Sequence, residues 1–443
     1  MERRTFIAGS VAAGATAVVG AGSAVAASDD EAAIAEHVRG VTAITKVFGD
    51  GQKLIAVAVE YDRAIDNSAL STSTFTVTGR TVTKVYANTA VDLAGRGRDG
   101  RYVIVELSPD DTAAALWETR QGGSGGAPGG GGPKVGDSTP GGTIVPAKAS
   151  LVQQGTVTTT RGTRYAAGDT TLTTTAVVNL VVDDFEQFTF EDPATGQTLR
   201  YNLFVPKGHD RRKRYPLVLF LHDASVVNVA TEGPLVQGLG AVCWAGPEDQ
   251  ARHECFVLAP EYGSVVVDDT YVPSTLFDAT ANLVQAVTEK YAIDENRRYT
   301  TGQSMGAMMS LGLNIKYPDL FAAAYVVAGQ WPSDVAAPLA NKKLWIVVSQ
   351  DDDKAFPGEN AITQVIKDQG TEVATAVWDG HSTDAQFAAD VRHLKARKAP
   401  VNYASFQTGT TVPAGSDTSA HMGTWRIAYT IPGIRDWIMR QSR

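Results

Sequence analysis

The sequence predicts an all-β sandwich followed by a mostly parallel, doubly wound α/β domain, and three observations carry that prediction. Residues 38–182 are rich in Thr and Val set in short alternating runs. After Asp183-Asp184 the pattern changes to apolar runs alternating with amphipathic segments. The chain has 443 residues, and single cores stop growing near ~250–300 residues, so two domains are the starting expectation.

The sandwich rests on runs such as Leu54-Ile55-Ala56-Val57-Ala58-Val59, Thr74-Phe75-Thr76-Val77-Thr78 and Tyr102-Val103-Ile104-Val105-Glu106. Separated by Gly, Asp and Asn, they carry the signal of paired antiparallel sheets, and helical periodicity is nearly absent. The predicted domain spans 30–182. Inside it, 121–142 holds Gly122-Gly123-Ser124-Gly125-Gly126 and a second glycine run, a composition that cannot bury apolar surface and reads as a flexible surface loop. A phosphate cradle would need a strand before it, a helix after it and a Lys at fixed spacing, and these are missing.

From 185 to 443 the expected strands are 200–206, 217–222, 255–259, 298–301, 322–328, 344–349 and 401–406, with helices at 279–290, 305–316 and 361–369. Buried Val/Leu/Ile runs alternating with amphipathic helices give a parallel sheet covered on both faces.

Composition narrows the function classes. With 43% hydrophobic and 20% charged residues the chain reads as globular, and a net charge of -9 argues against nucleic acid or an anionic membrane surface as partner. The first 26 residues read as a targeting segment: Arg3-Arg4 precede Phe6-Ile7, a weakly apolar Ala/Gly/Val stretch follows, and Ala24-Val25-Ala26 fits an A-x-A cleavage site. This resembles a twin-arginine export signal, and its glycines make it a poor permanent span, so stable membrane insertion is not expected. Cys243 and Cys255 are the whole cysteine inventory, without a zinc ligand pattern. Export would allow a disulfide between them, yet cysteine is equally a core residue, and the sequence leaves both readings open.

The chemistry centres on Gly302-Gln303-Ser304-Met305-Gly306, a G-x-S-x-G pattern between a strand and a helix. A serine at such a turn is held in a strained conformation with its oxygen above the sheet, and small neighbours are needed where strand and helix meet. In this topology the acid and then the base follow the serine along the chain. Of the later histidines, His393 reads as an exposed helical residue and His381 sits in a turn; His421, after the last strand and a long loop, is the expected base. Asp351, Asp352 and Asp353 all follow the strand 344–349, and only one can orient the imidazole. The oxyanion donors are expected to be the N–H groups of Met305 and of Ala224, in the loop His222-Asp223-Ala224-Ser225, with His222 supporting that loop. Ligands bind at the carboxyl ends of such strands, so Gln303, Gln330, Trp331 and Trp425 are the expected substrate-facing residues. No metal and no cofactor is implied.

The elements Tyr215-Pro216-Leu217-Val218-Leu219-Phe220-Leu221-His222, Cys255-Phe256-Val257-Leu258-Ala259-Pro260, the G-x-S-x-G pattern, and His421 with Trp425 resemble α/β-hydrolase fold esterases related to polyhydroxybutyrate depolymerases and feruloyl esterases, above all those with an N-terminal immunoglobulin-like domain. The resemblance implies a secreted serine esterase acting on small or polymeric esters through an acyl-enzyme. It also places the acid in an H-G-x-x-D-x-x-V-P frame, which Ser349-Gln350-Asp351-Asp352-Asp353-Lys354-Ala355-Phe356-Pro357 fits with Asp353 as the acid. The chain departs from the family at the oxyanion loop, where His222-Asp223-Ala224-Ser225 replaces H-G-[AG]-G, and at Ser349-Gln350, which replace the His-Gly before the acid. The segment 373–393 reads as a decorative insertion. Rival readings are a polyester depolymerase, a feruloyl or acetyl carbohydrate esterase, a serine peptidase and a non-catalytic binding protein, since one triad serves many reactions.

Overall fold

The computed structural model describes residues 36–119 and 132–443. The predicted export segment at 1–26 and the first part of the glycine-rich stretch lie outside the described residues. Among the described residues no helix is long and apolar enough to cross a membrane.

The N-terminal part is a sandwich of a five-stranded and a three-stranded sheet. In the larger sheet Val38–Phe48, Gly51–Ile65, Gly100–Leu107 and Val82–Asn88 pair antiparallel, and Ala176–Asn179 joins the edge of Val38–Phe48 in parallel. Alternation sets its two faces. Val57, Val59, Val103 and Val105 pack with Phe75 and Leu151 of the smaller sheet, whereas Ala56, Ala58 and Ile104 form a separate cluster with Tyr86 on the other face.

The C-terminal part is built on a nine-stranded sheet. Its strands are β1 (Phe185–Asp192), β2 (Gln197–Phe204), β3 (Tyr215–Leu221), β4 (Phe256–Glu261), β5 (Ile293–Gln303), β6 (Ala323–Val327), β7 (Lys343–Ser349), β8 (Val373–Trp378) and β9 (Val401–Phe406). They lie in the order β1-β2-β4-β3-β5-β6-β7-β9-β8. The first two strands are antiparallel to their neighbours and the rest run parallel. The helices that matter for the site are α1 (Leu239–Ala245), α2 (Leu276–Lys290), α3 (Met305–Lys316), α4 (Ala355–Asp368), α5 (Asp384–Ala396) and α6 (Ala420–Ala428).

The unbroken apolar runs that marked these strands are explained by their two covered faces. Along β3, Val218 and Phe220 enter one core with Trp244, Tyr325 and Trp345, while Leu217, Leu219 and Leu221 enter the other with Phe277, Met308 and Met309. Segment 373–393 supplies β8, an edge strand parallel to β9, and most of α5, whose Phe387 and Val391 reach the first core.

The two parts share apolar packing. Val47 and Val182 belong to the same core cluster as Phe220 and Trp345, with Trp117 and Ile144 packed against it. Residues 134–141, the described end of the glycine-rich stretch, are pinned to the C-terminal part. Gly136 N–H donates to Val265 O (3.0 Å), Val265 N–H to Asp137 O (2.8 Å), Val135 N–H to Asp268 Oδ2 (3.0 Å) and Gly141 N–H to Ser225 O (2.9 Å). Cys243 and Cys255 are free, and Cys255 is buried in the core.

Candidate active site

β5 runs into α3 through a single sharp residue. Ser304, the N-cap of α3, has φ 52 and ψ -120, a backbone conformation that costs a non-glycine residue about 1–3 kcal/mol and persists only where its surroundings enforce it. The neighbouring glycines show how. A Cβ on Gly306 would lie 1.9 Å from Leu221 O, and one on Gly302 would lie 2.4 Å from the Gly306 backbone. Any side chain at either position would therefore push the helix off the sheet. Ser304 stays partly exposed at the carboxyl end of β5, with its N–H on Val327 O (3.1 Å).

His421 reaches this serine from the first turn of α6, whose N-cap Ser419 accepts the Met422 N–H. Ser304 Oγ lies 2.9 Å from His421 Nε2, and Asp352 Oδ2 lies 2.5 Å from His421 Nδ1. Asp352 is therefore the carboxylate on the ring, and Asp353 is exposed. The register implied by the family frame is off by one. A tight turn, Asp352 N–H on Ser349 O (3.1 Å), follows β7 at once, and the other oxygen, Oδ1, takes the N–H groups of Ala355 (2.9 Å) and Lys354 (3.2 Å) at the start of α4. Asp351 points elsewhere, to Gly409 N–H (2.6 Å). Burial pushes the Asp352 carboxyl up. The hydrogen bond and charge of His421 and the two backbone amides outweigh that and hold it below the usual carboxylate range.

The ring is steadied from beside it. Trp425, one turn along α6, meets His421 edge to face at 5.0 Å and 87°, a contact worth about 0.5–1.5 kcal/mol beyond area burial for aromatic pairs. It is largely buried and packs on the imidazole. Thr424 Oγ1 accepts the Ser349 N–H (3.1 Å), which ties α6 to the end of β7. His381 and His393 are both exposed, and among the described residues His381 pairs only with Asp379.

Met305 and Ala224 both open a helical turn, and neither N–H donates to a protein acceptor among the described residues. His222 is buried with both nitrogens engaged: Nδ1 donates to Asp223 O (2.7 Å) and Nε2 accepts from Tyr262 N–H (3.1 Å). Burial pushes its pKa down, so the ring is neutral and supports the loop.

The other residues expected to face substrate have partners within the protein. Gln303 is buried, its amide donating to Asp223 Oδ2 (2.9 Å). Gln330 donates to Asp269 Oδ1 (3.0 Å), and Asp269 also pairs with Lys354. Trp331 is partly buried and packs against Tyr271 and Phe277, close to Gly312 of α3. A glutamine or tryptophan near a strand end reads the same in sequence whether it faces ligand or protein. Sequence reasoning also missed Glu359 of α4. It is fully buried, accepts the Gly329 N–H at 3.1 Å, and burial pushes its pKa well above the usual carboxylate range.

A serine, imidazole and carboxylate in one hydrogen-bonded chain can move a proton off the serine and stabilise the imidazolium that results.

Both parts of the chain are similar to known esterases. Residues 40–166 match the model described as "Esterase Ig-like N-terminal domain", and residues 268–421 match the one described as "Putative esterase". A crystal structure of a thermostable esterase superposes with a TM-score of 0.75 at 28% identity, covering 92% of this chain and 100% of that one. "Probable feruloyl esterase C" of Aspergillus terreus is 28% identical over 29% of this chain and 46% of its own length. "Acetylxylan esterase A" of Aspergillus awamori is 42% identical over 23% of this chain and 39% of its own. The chain thus spans less than half the length of these curated relatives.

Proposed function

Since the chain belongs to the α/β-hydrolase fold esterases that carry an N-terminal immunoglobulin-like domain, we propose that it is a secreted serine hydrolase of carboxylic esters with short acyl groups. The observation that carries this reading is the chain of contacts from Ser304 through His421 to Asp352 on a strained elbow. Ser304 Oγ attacks the ester carbonyl while His421 Nε2 takes its proton, and Asp352 holds the Nδ1–H and stabilises the imidazolium. The Met305 and Ala224 N–H groups receive the oxyanion. His421 then protonates the leaving alcohol, and water, deprotonated by the same imidazole, releases the acid from the acyl-serine. Secretion rests on Arg3-Arg4 and the A-x-A site at Ala24-Val25-Ala26.

The names of the curated relatives favour acyl groups found on plant-wall polysaccharide, acetyl or hydroxycinnamoyl. Turnover of nitrophenyl esters from acetate to palmitate, of methyl ferulate and of acetylated xylan tests both levels. Highest kcat/KM on acetate or butyrate is expected. Turnover confined to long-chain esters would remove the short-acyl assignment, and turnover of none would remove the esterase reading.

The sandwich is expected to shape the site. A Cβ on Gly49, in the turn between its first two strands, would lie 2.3 Å from Arg426 O, and Arg426 belongs to α6, the helix that carries His421. Small displacements of catalytic groups cost up to about 10²-fold. Gly49→Val is therefore expected to lower kcat roughly 10- to 100-fold with the protein still folded by circular dichroism. An unchanged kcat would show that the turn yields and α6 does not.

A further inference from the structure

The loop that departs from the family pattern places a carboxylate where that pattern has glycine, and the carboxylate is bonded on all sides. Asp223 is 6% exposed. Its Oδ1 accepts the Ser225 N–H (2.8 Å) and the Ser225 Oγ–H (2.5 Å), and its Oδ2 accepts Nε2 of Gln237 (2.8 Å) and of Gln303 (2.9 Å). The donors come from separate parts of the chain. Gln303 is the residue before Ser304, 1% exposed at the end of β5, and Gln237 lies just before α1. Ser225 belongs to the single helical turn Ala224–Val226, of which Asp223 is the cap.

We propose that Asp223 is a positioning residue for acyl transfer, tying the elbow to the neighbouring loop so that the Ala224 N–H is held in register with Ser304 and the Met305 N–H. This rests on the reading of Ser304 as nucleophile and deepens it. An oxyanion hole assembled from two chain segments works only if their N–H groups keep a fixed spacing, since donors must sit about 2.7–3.1 Å from the developing charge and be held there to within about 0.5 Å. Glycine at 223 would leave the Gln303 and Gln237 amides without an acceptor inside the protein, and a buried donor without a partner is costly enough to reorganise the loop. The same logic explains why Gln303, read in sequence as facing substrate, points inward.

The full chain carrying Asp223→Asn, Gln303→Met or both is assayed on nitrophenyl acetate and titrated with a trifluoromethyl ketone, which forms a hemiketal oxyanion on a reactive serine. For Asp223→Asn, kcat is expected to fall about 10²-fold with KM within about threefold, and ketone affinity to weaken by the same factor as kcat/KM. Gln303→Met is expected to cost about 10-fold, and the double variant no more than Asp223→Asn alone, because both break one network. A folded Asp223→Asn with unchanged kcat, or with a loss confined to KM while the ketone binds as before, overturns the proposal. Should Asp223→Asn not fold, Gln303→Met, which removes one donor of four, decides by the same criteria. Absence of Ser304-dependent turnover in the unsubstituted protein would instead overturn the esterase reading itself.

Discussion

Ser304→Ala is expected to lower kcat on nitrophenyl acetate by about 10⁶-fold, the largest effect available in this chain. The expectation follows from geometry. Ser304 Oγ is 2.9 Å from the only imidazole that faces it among the described residues, and its backbone is held at φ 52 by contacts that leave no room at Gly302 or Gly306. Removing Oγ leaves the N–H groups of Met305 and Ala224 in place, so a residual acceleration over water of about 10³–10⁴ remains. KM is expected to change little, because the hydroxyl contributes to the transition state and hardly to ground-state binding. Mass spectrometry after treatment with an activated phosphonate gives an independent reading. One phosphonyl group on the unsubstituted protein and none on Ser304→Ala is expected. A variant retaining more than a few per cent of its turnover would move the nucleophile elsewhere.

The second large effect separates adjacent aspartates. Asp352→Asn is expected to lower kcat by about 10⁴-fold, as removing the orienting carboxylate strands the imidazole in the wrong tautomer, whereas Asp353→Asn is expected to stay within about threefold of the parent. Asp352 touches Nδ1 at 2.5 Å and is largely buried, while Asp353 faces solvent. Steady-state kinetics on the two purified variants settles it, and the reverse ranking would restore the family register. The same carboxylate affects stability. Its pKa is lower folded than unfolded, so its contribution is present above the unfolded value near ~3.9 and is lost as pH falls through the lower folded value. Acid unfolding monitored between about pH 5 and 2 is thus expected to be less pH-dependent in Asp352→Asn than in the parent.

The order of acid and base in the chain was readable because it follows from topology. A serine at the end of β5, an acid after β7 and a histidine after β9 are brought to one edge by any sheet of this strand order. His421 could be preferred over His381 and His393 on that ground, and its contact with Ser304 agrees with the preference. Side-chain direction within a loop is a different matter. Gln303, Gln330 and Trp331 were placed at the right ends of strands and yet turn to Asp223, to Asp269 and to Tyr271 with Phe277. Asp223 had a signal, its substitution for glycine in the H-G-[AG]-G pattern. What the signal meant depended on Gln237 and Gln303, 14 and 80 residues away.

The sequence by itself determined the division into a sandwich and a doubly wound sheet, the covered faces of most of the sheet's strands, though not the edge strands Phe185–Asp192 and Val373–Trp378, and the elbow at Ser304. These depend on periodicity and on local steric demands, both of which act over a few residues. Tertiary structure alone decided which of three neighbouring carboxylates meets His421, which polar side chains turn inward, and how the sandwich bears on α6 through Gly49. Each of those depends on which distant atoms occupy the space around a side chain, and a difference of one residue in a turn reverses the direction in which a carboxylate points.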